Sequence, residues 1–100
     1  MIKVSYKLDG DNYTYLSVKG HANFDDYGKD IICASVSSIA FGLMNCLDGY
    51  TGITIRDLKN HIEIINNSKL DEVDNFFKLT IIQLKTIEES YGEFIKVERK

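Results

Sequence analysis

The first twenty residues alternate between apolar and polar side chains. Apolar residues occupy the even positions from Ile2 to Leu8, polar ones the odd positions between them, and the alternation resumes over residues 13–19. A period of two is that of a β-strand with one buried face. Because the polar DGDN segment at 9–12 separates the two runs and Gly20 closes the second, the pattern predicts a β-hairpin.

From residue 31 the apolar positions recur at steps of three and four, which is the period of an α-helix. The positions are Ile32, Val36, Ile39, Leu43, Leu47 and Tyr50. Asp30 stands just before them, where a side-chain oxygen caps the first free backbone N–H groups. The pattern therefore predicts a helix of about 18 residues beginning after Asp30.

The second half of the chain repeats this succession of elements. GITIRDLKNHIEIIN predicts a second hairpin, with strands around residues 53–55 and 62–65 and a polar RDLKN turn. Helical spacing then extends over residues 69–91 and ends at Gly92, and a last strand is predicted around residues 94–97. The order ββαββαβ indicates one α+β domain spanning residues 1–100, with two helices packed on a small antiparallel or mixed sheet.

The second helix has a wider apolar stripe than one face of a small sheet obviously needs. Phe76, Ile81 and Ile82 widen it. A contact between two copies of the chain would cover these residues, and so would an ordinary core. The homodimer and the core interpretations both stay open at this point.

Composition excludes several classes of partner. The 100 residues carry a net charge of −3, with 44% hydrophobic and 27% charged residues, as in an ordinary soluble domain. Without a basic excess we expect no direct nucleic-acid partner, because phosphate neutralisation supplies most of that affinity. No apolar run reaches the length of a signal peptide or a membrane span, so we expect a cytoplasmic protein with no membrane contact.

One histidine and one cysteine are predicted to lie at the ends of neighbouring elements. His21 directly follows the second strand, and Cys33 lies in the first turn of the first helix. The helix start favours the thiolate and so lowers the pKa of a thiol, and an imidazole close by would act as its base. The backbone N–H groups near Ile32 and Cys33 would then stabilise an oxyanion.

The segment between them has the composition of a mobile loop. Gly20 and Gly28 flank it, and Phe24 and Tyr27 lie within it, which is typical of a substrate-gating loop. The two aromatic residues would instead pack on the core if the loop has no such role.

Each of these residues also has a purely structural interpretation. Cys33 is a small buried apolar side chain, His21 a surface residue, Asp30 a helix cap, and Ser37 a hydroxyl bonded back to a helix carbonyl. Metal binding by His21, Cys33, Asp25 and Asp26 lacks the usual ligand spacing, so we expect no metal and no cofactor. Cys46 would lie about 20 Å from Cys33 along the helix, which excludes a disulfide between them.

The segment GHANFDDYGKDIICASVS at 20–37 resembles the signature of the ribosomal-processing cysteine protease (Prp) family. That signature has a GHA triplet, a glycine-containing loop and a G-x-D-I-x-C-A-x-V-S run in this order. The predicted order of elements and the chain length also fit the family. This chain departs from the family in the loop, at Phe24, Asp25 and Asp26, and after the Cys-Ala pair, at Ser35.

The resemblance implies a cysteine endopeptidase that removes the N-terminal extension of a large-subunit ribosomal protein and acts as a homodimer. It implies cleavage after an aromatic-aromatic-Ala sequence. The family's nucleophile falls on Cys33 and its general base on His21. Asp30 and Ser37 match further positions of the signature, with supporting roles that stay open: orienting the imidazole or capping the helix for Asp30, and supporting the thiolate or the oxyanion for Ser37.

Two hypotheses from other classes remain. A non-catalytic dimeric module that binds a ribosomal protein would keep the groove without needing the thiol. A redox-sensing thiol protein would use a cysteine of low pKa, although Cys46 lies too far away to resolve a sulfenic acid within the chain.

Overall fold

The computed structural model describes residues 1–25 and 30–100 of the chain. Two helices and five strands follow one another in the predicted order ββαββαβ. They are β1 (Ile2–Asp9), β2 (Asn12–Gly20), α1 (Ile31–Cys46), β3 (Ile53–Leu58), β4 (His61–Asn66), α2 (Asp71–Tyr91) and β5 (Ile95–Arg99).

The strands form one mixed sheet in the order β3-β4-β2-β1-β5. The β1–β2, β2–β4 and β3–β4 pairs are antiparallel, whereas β5 joins β1 in parallel. The first hairpin therefore occupies the middle of the sheet, and β3 and β5 are its edges. This confirms the predicted α+β class.

One face of the sheet is covered by the helices, and the core lies between them. The residues of β1 alternate between buried and exposed, with Ile2 and Val4 almost fully buried. From the helices, Ile32 and Val36 of α1 and Phe77 of α2 pack against this face, each with at most 2% of its surface exposed. Burial of this apolar surface is the main contribution that favours folding.

The predicted boundaries are correct to within a few residues, with two corrections. Helix α1 ends at Cys46, so Leu47 and Tyr50 belong to the following turn, where the Leu47 N–H still bonds to the Leu43 carbonyl at 3.0 Å. The predicted RDLKN turn is wrong in extent, because strand pairing continues to Leu58 opposite His61 and leaves a turn of two residues.

Within the described residues, neither helix has the length and apolarity that crossing a bilayer requires. Helix α2 instead has an acidic first turn and an apolar stripe facing the core. This pattern is that of a helix packed on a sheet.

Two phenylalanines on helices test how far the core determines stability. Phe77 is completely buried, whereas 45% of the surface of Phe41 is exposed. We expect Phe77→Ala to lower the free energy of unfolding by about 3–5 kcal/mol, and Phe41→Ala to lower it by about 1 kcal/mol or less. Urea denaturation followed by circular dichroism measures both, and equal losses would contradict this assignment of the core.

Candidate active site

The end of strand β2 is held in place by Gly20. Its backbone has a φ of 94°, a conformation that side chains other than glycine rarely adopt. A Cβ at this position would lie 2.5 Å from the Met1 carbonyl oxygen. The Gly20 N–H also donates to the Asn60 carbonyl at 2.9 Å, which ties this strand end to the β3–β4 turn. The backbone leading into His21 is therefore fixed.

The residues after His21 lie against the start of helix α1. Ala22 is buried, and its backbone N–H donates to the Sγ atom of Cys33 at 3.3 Å. The alanine of the GHA triplet thus brings the end of β2 to the sulfur. The larger side chains that most other residues carry would not fit this buried position without displacing the segment.

The Asp30 carboxylate joins the helix start to the same segment. One oxygen, Oδ1, accepts from the N–H groups of Ile32 at 3.1 Å and Cys33 at 2.9 Å, which confirms the predicted N-cap. The other, Oδ2, accepts from the Phe24 N–H at 3.1 Å. A single carboxylate therefore holds both the helix carrying the cysteine and the loop carrying the histidine.

The Phe24 ring packs away from the loop against the C-terminal part of the chain. It lies edge-on to Phe94, with ring centroids 5.2 Å apart, and to Tyr91, at 5.9 Å. Edge-to-face pairs at these separations are favourable. The ring therefore anchors the first part of the loop beside the end of α2, although 38% of its surface stays exposed.

A cleft of about 710 Å³ runs between helix α1 and the end of the sheet formed by β2 and the β3–β4 hairpin. His21 and Cys33 both line it. The other described residues that line it are Ile2, Val18, Gly20, Asn23, Asp25, Asp30, Ala34, Val36, Ser37, Phe41, Asp57, Leu58, Asn60, His61 and Ile62. An imidazole and a thiol thus share one large cleft, as a thiol hydrolase needs.

The surroundings of Cys33 favour its protonated form. Burial raises the pKa of the thiol above its ordinary value, and the Asp30 carboxylate raises it further, while the N–H groups of Ala22 and Asn23 act in the opposite direction. The prediction of a lowered pKa at the helix start is therefore wrong. Burial is the larger cause, and the cap adds to it, because Asp30 places a negative charge where the helix start alone would offer a positive one.

Asp30 itself stays ionised. Burial would raise its pKa, but the hydrogen bonds from the N–H groups of Cys33, Phe24 and Ile32 outweigh this and hold the pKa below its ordinary value. Among the described residues, the hydrogen-bond partners of Asp30 are these amides and the Cys33 thiol. The His21 ring is not one of them. In this structure Asp30 is a cap and a bridge to the loop.

The hydrogen bonds to Asp30 also change which N–H groups are available to stabilise an oxyanion. The N–H groups of Ile32 and Cys33 are already bonded to Asp30. Ser37 is exposed and faces the cleft one turn after Cys33, while the hydroxyl that bonds back to the helix is that of Ser35, to the Ile31 carbonyl at 2.7 Å. Tyr27 and Gly28 of the predicted gating loop lie outside the described residues.

Sequence reasoning missed part of the cleft wall. Phe41 follows Cys33 and Ser37 at helical spacing, so the period of α1 could have revealed it. Asp57 and Asn60 reach the cleft only because the β3–β4 hairpin is folded beside β2, and strand order is not visible in the sequence.

A thiol at a helix start and an imidazole at a strand end that share one cleft are the arrangement that cysteine hydrolases use. The family model for the cysteine protease Prp matches residues 1–96. The chain belongs to this family and is a cysteine protease.

Individual relatives agree with this family. The ribosomal processing cysteine protease Prp of Staphylococcus aureus is 33% identical over 97 residues, which cover 92% of each chain. That of Mycoplasma genitalium is 31% identical over 101 residues, covering 100% of this chain and 97% of the relative. The crystal structure of the S. aureus protease with a covalently linked product peptide superposes with a TM-score of 0.88 at 31% identity, covering 100% of both chains.

Replacing Asp30 by asparagine tests the electrostatics of the thiol. Asparagine also caps helices well, so the fold should persist, whereas the negative charge that raises the Cys33 pKa is removed. We expect the pH midpoint for alkylation of Cys33 by iodoacetamide to move to lower pH. Asp57→Asn, in the same cleft, should leave the midpoint unchanged. No shift in Asp30→Asn, or an upward one, would contradict this electrostatic assignment.

Proposed function

We propose that this protease removes the N-terminal extension of a large-subunit ribosomal protein, cleaving after an aromatic-aromatic-Ala sequence with a Cys33/His21 dyad. The observation that carries this proposal is the shared cleft, in which the Ala22 N–H touches the Cys33 sulfur one residue from His21. The relatives named for ribosomal processing support the substrate class. A second S. aureus structure, with a substrate peptide, superposes with a TM-score of 0.83.

In the proposed mechanism the proton leaves the thiol as the substrate arrives. Because the surroundings favour the neutral thiol, His21 accepts the Cys33 proton while Sγ attacks the carbonyl carbon of the substrate's alanine. His21 then gives this proton to the leaving amine, and the C–N bond breaks to leave a thioester on Cys33. Water, deprotonated by His21, hydrolyses the thioester and restores the thiol.

The oxyanion needs donors other than those first expected. The Ala22 N–H donates to the sulfur at 3.3 Å, and the N–H of the next residue, Asn23, also acts to lower the pKa of this thiol. The carbonyl carbon is bonded to this sulfur in the tetrahedral intermediate, which brings its oxygen within reach of donors around the sulfur, and we assign the role to these two groups. Fixed backbone donors of this kind stabilise developing charge efficiently.

The cleft is suited to a basic peptide. Asp25, Asp30 and Asp57 line it, and the described lining residues include no lysine or arginine. Apolar contacts come from Phe41, which is 45% exposed, and Leu58, which is 47% exposed. These groups would accept the aromatic side chains that precede the scissile bond, and the carboxylates would attract the positive charge of a ribosomal protein.

The proposed enzyme acts as a cytoplasmic homodimer without metal or cofactor. The homodimer is supported by the part of the α2 stripe that the core leaves uncovered, where Leu79 is 58% and Ile82 51% exposed. These side chains lie three residues apart on one helix face, so a second copy can bury them together. Phe76 and Ile81, by contrast, pack within this chain.

Mass spectrometry of a peptide containing Phe-Phe-Ala tests the proposal. We expect the native protein to cleave after the alanine, Cys33→Ala to be inactive, and His21→Ala to be slower by a factor of about 10²–10⁴. Cys46→Ala is the matched control and should cleave like the native protein, because Cys46 is exposed near the other end of α1.

Other outcomes separate the alternatives. Cleavage by Cys33→Ala at the native rate would exclude the dyad. Binding of the peptide without cleavage by any form would instead favour the non-catalytic binding module.

A further inference from the structure

The sheet face opposite the helices carries an unusual share of positive charge. Strand register places three rows of side chains across it. The rows are Leu58, His61, Lys19, Lys3 and Lys96; Arg56, Glu63, Ser17, Ser5 and Glu98; and Thr54, Ile65, Tyr15 and Lys7. They hold five of the chain's twelve basic residues and two of its fifteen acidic ones, a net charge of +3 on a protein of net charge −3.

The centre of this basic face is a pair of lysines. Lys3 and Lys19 are directly opposite in the antiparallel β1–β2 ladder. Side chains so placed have Cβ atoms about 4.5–5.5 Å apart, and like charges there repel each other. Lys96 is the next residue in the row. Its amine lies farther out, at the sheet edge, 3.7 Å from the place that a Cβ atom would occupy on Gly92. An anion held between Lys3 and Lys19 would relieve the repulsion.

The carboxylates on this face do not neutralise the lysine pair. Glu63 accepts from the Tyr15 hydroxyl at 2.6 Å and pairs with Arg56 at 3.3 Å. Glu98 pairs with Lys100 at 3.2 Å. In the described part of the chain, neither Lys3 nor Lys19 has an ion-pair partner.

We propose that this basic face binds the phosphate backbone of RNA. A second copy of the chain is disfavoured as the occupant, because it would bring like charges together. The Tyr15 ring, with the Lys7 amine 4.9 Å from its centroid, adds an aromatic surface of the kind on which unpaired bases stack. The choice of RNA over another polyanion rests on the proposed function, since a ribosomal protein substrate is found beside ribosomal RNA.

A basic face that binds RNA is the opposite of what the net charge alone predicts, which is no direct nucleic-acid partner. A net charge of −3 concealed two oppositely charged surfaces, the acidic cleft and the basic face, which meet at Leu58 and His61 beside the β3–β4 turn. Contact with RNA through the basic face would leave the cleft free for the peptide. The protease would thereby be concentrated near its substrate without competition between the two ligands.

Fluorescence anisotropy with a labelled single-stranded RNA of about twelve nucleotides tests the proposal. For native protein, we expect the affinity to fall with salt between about 50 and 200 mM. Lys3→Gln combined with Lys19→Gln should weaken RNA binding at low salt about tenfold or more. The slope of log K against log salt should also become flatter by about 1.4, which is the value for two phosphate contacts on a single strand. Lys69→Gln with Lys78→Gln removes the same charge elsewhere and should bind like the native protein.

Three results would overturn the proposal: no binding by native protein, equal losses in both double variants, or equally tight binding of polyglutamate or phosphatidylglycerol vesicles. Cleavage of the Phe-Phe-Ala peptide is measured on the same samples and should be unchanged in both double variants. RNA binding without any cleavage would contradict the proposed function, whereas cleavage without RNA binding would contradict only this inference.

Discussion

The candidate site depends on the carboxylate of Asp30. Its two oxygens bind the start of α1 and the Phe24 backbone, so the helix that carries the thiol and the segment that follows the imidazole share one anchor. Burial raises the pKa of Cys33, and the same carboxylate raises it further, so both favour the protonated thiol. A protonated resting thiol is less open to oxidation, which argues against the redox-sensor hypothesis. Reactivity would then develop only when a substrate and His21 act on the thiol together.

Much of this arrangement was predictable because it is local in sequence. Alternation and helical spacing gave the order of elements, and the residue type at position 30 gave the cap. The pKa of the thiol was predicted with the wrong sign, since the helix start was considered without the burial of the thiol and without the charge of the carboxylate that caps the helix. The oxyanion donors were misplaced for the same reason, because the cap already uses the N–H groups of Ile32 and Cys33.

What the sequence could not supply is the pairing of distant strands. The order β3-β4-β2-β1-β5 brings Asp57 and Asn60 to the cleft and ties Asn60 to Gly20. The pairing of Lys3 with Lys19 on the opposite face is local to the β1–β2 hairpin, but the register that aligns the two residues is not visible in the sequence pattern. Neither surface can be deduced from composition, because net charge does not record on which face of a sheet a residue stands. The charge pattern of this protein is thus a consequence of its topology.

The central claim is that the cleft makes Cys33 the nucleophile, and a peptide chloromethyl ketone ending in Phe-Phe-Ala tests it most directly. Cys46, which is the more exposed thiol and lies on the same helix, is the internal reference. Intact-mass spectrometry followed by peptide mapping should find one adduct, on Cys33, that forms more slowly in His21→Ala. Equal labelling of both cysteines, or labelling of Cys33 that His21→Ala does not slow, would contradict the account.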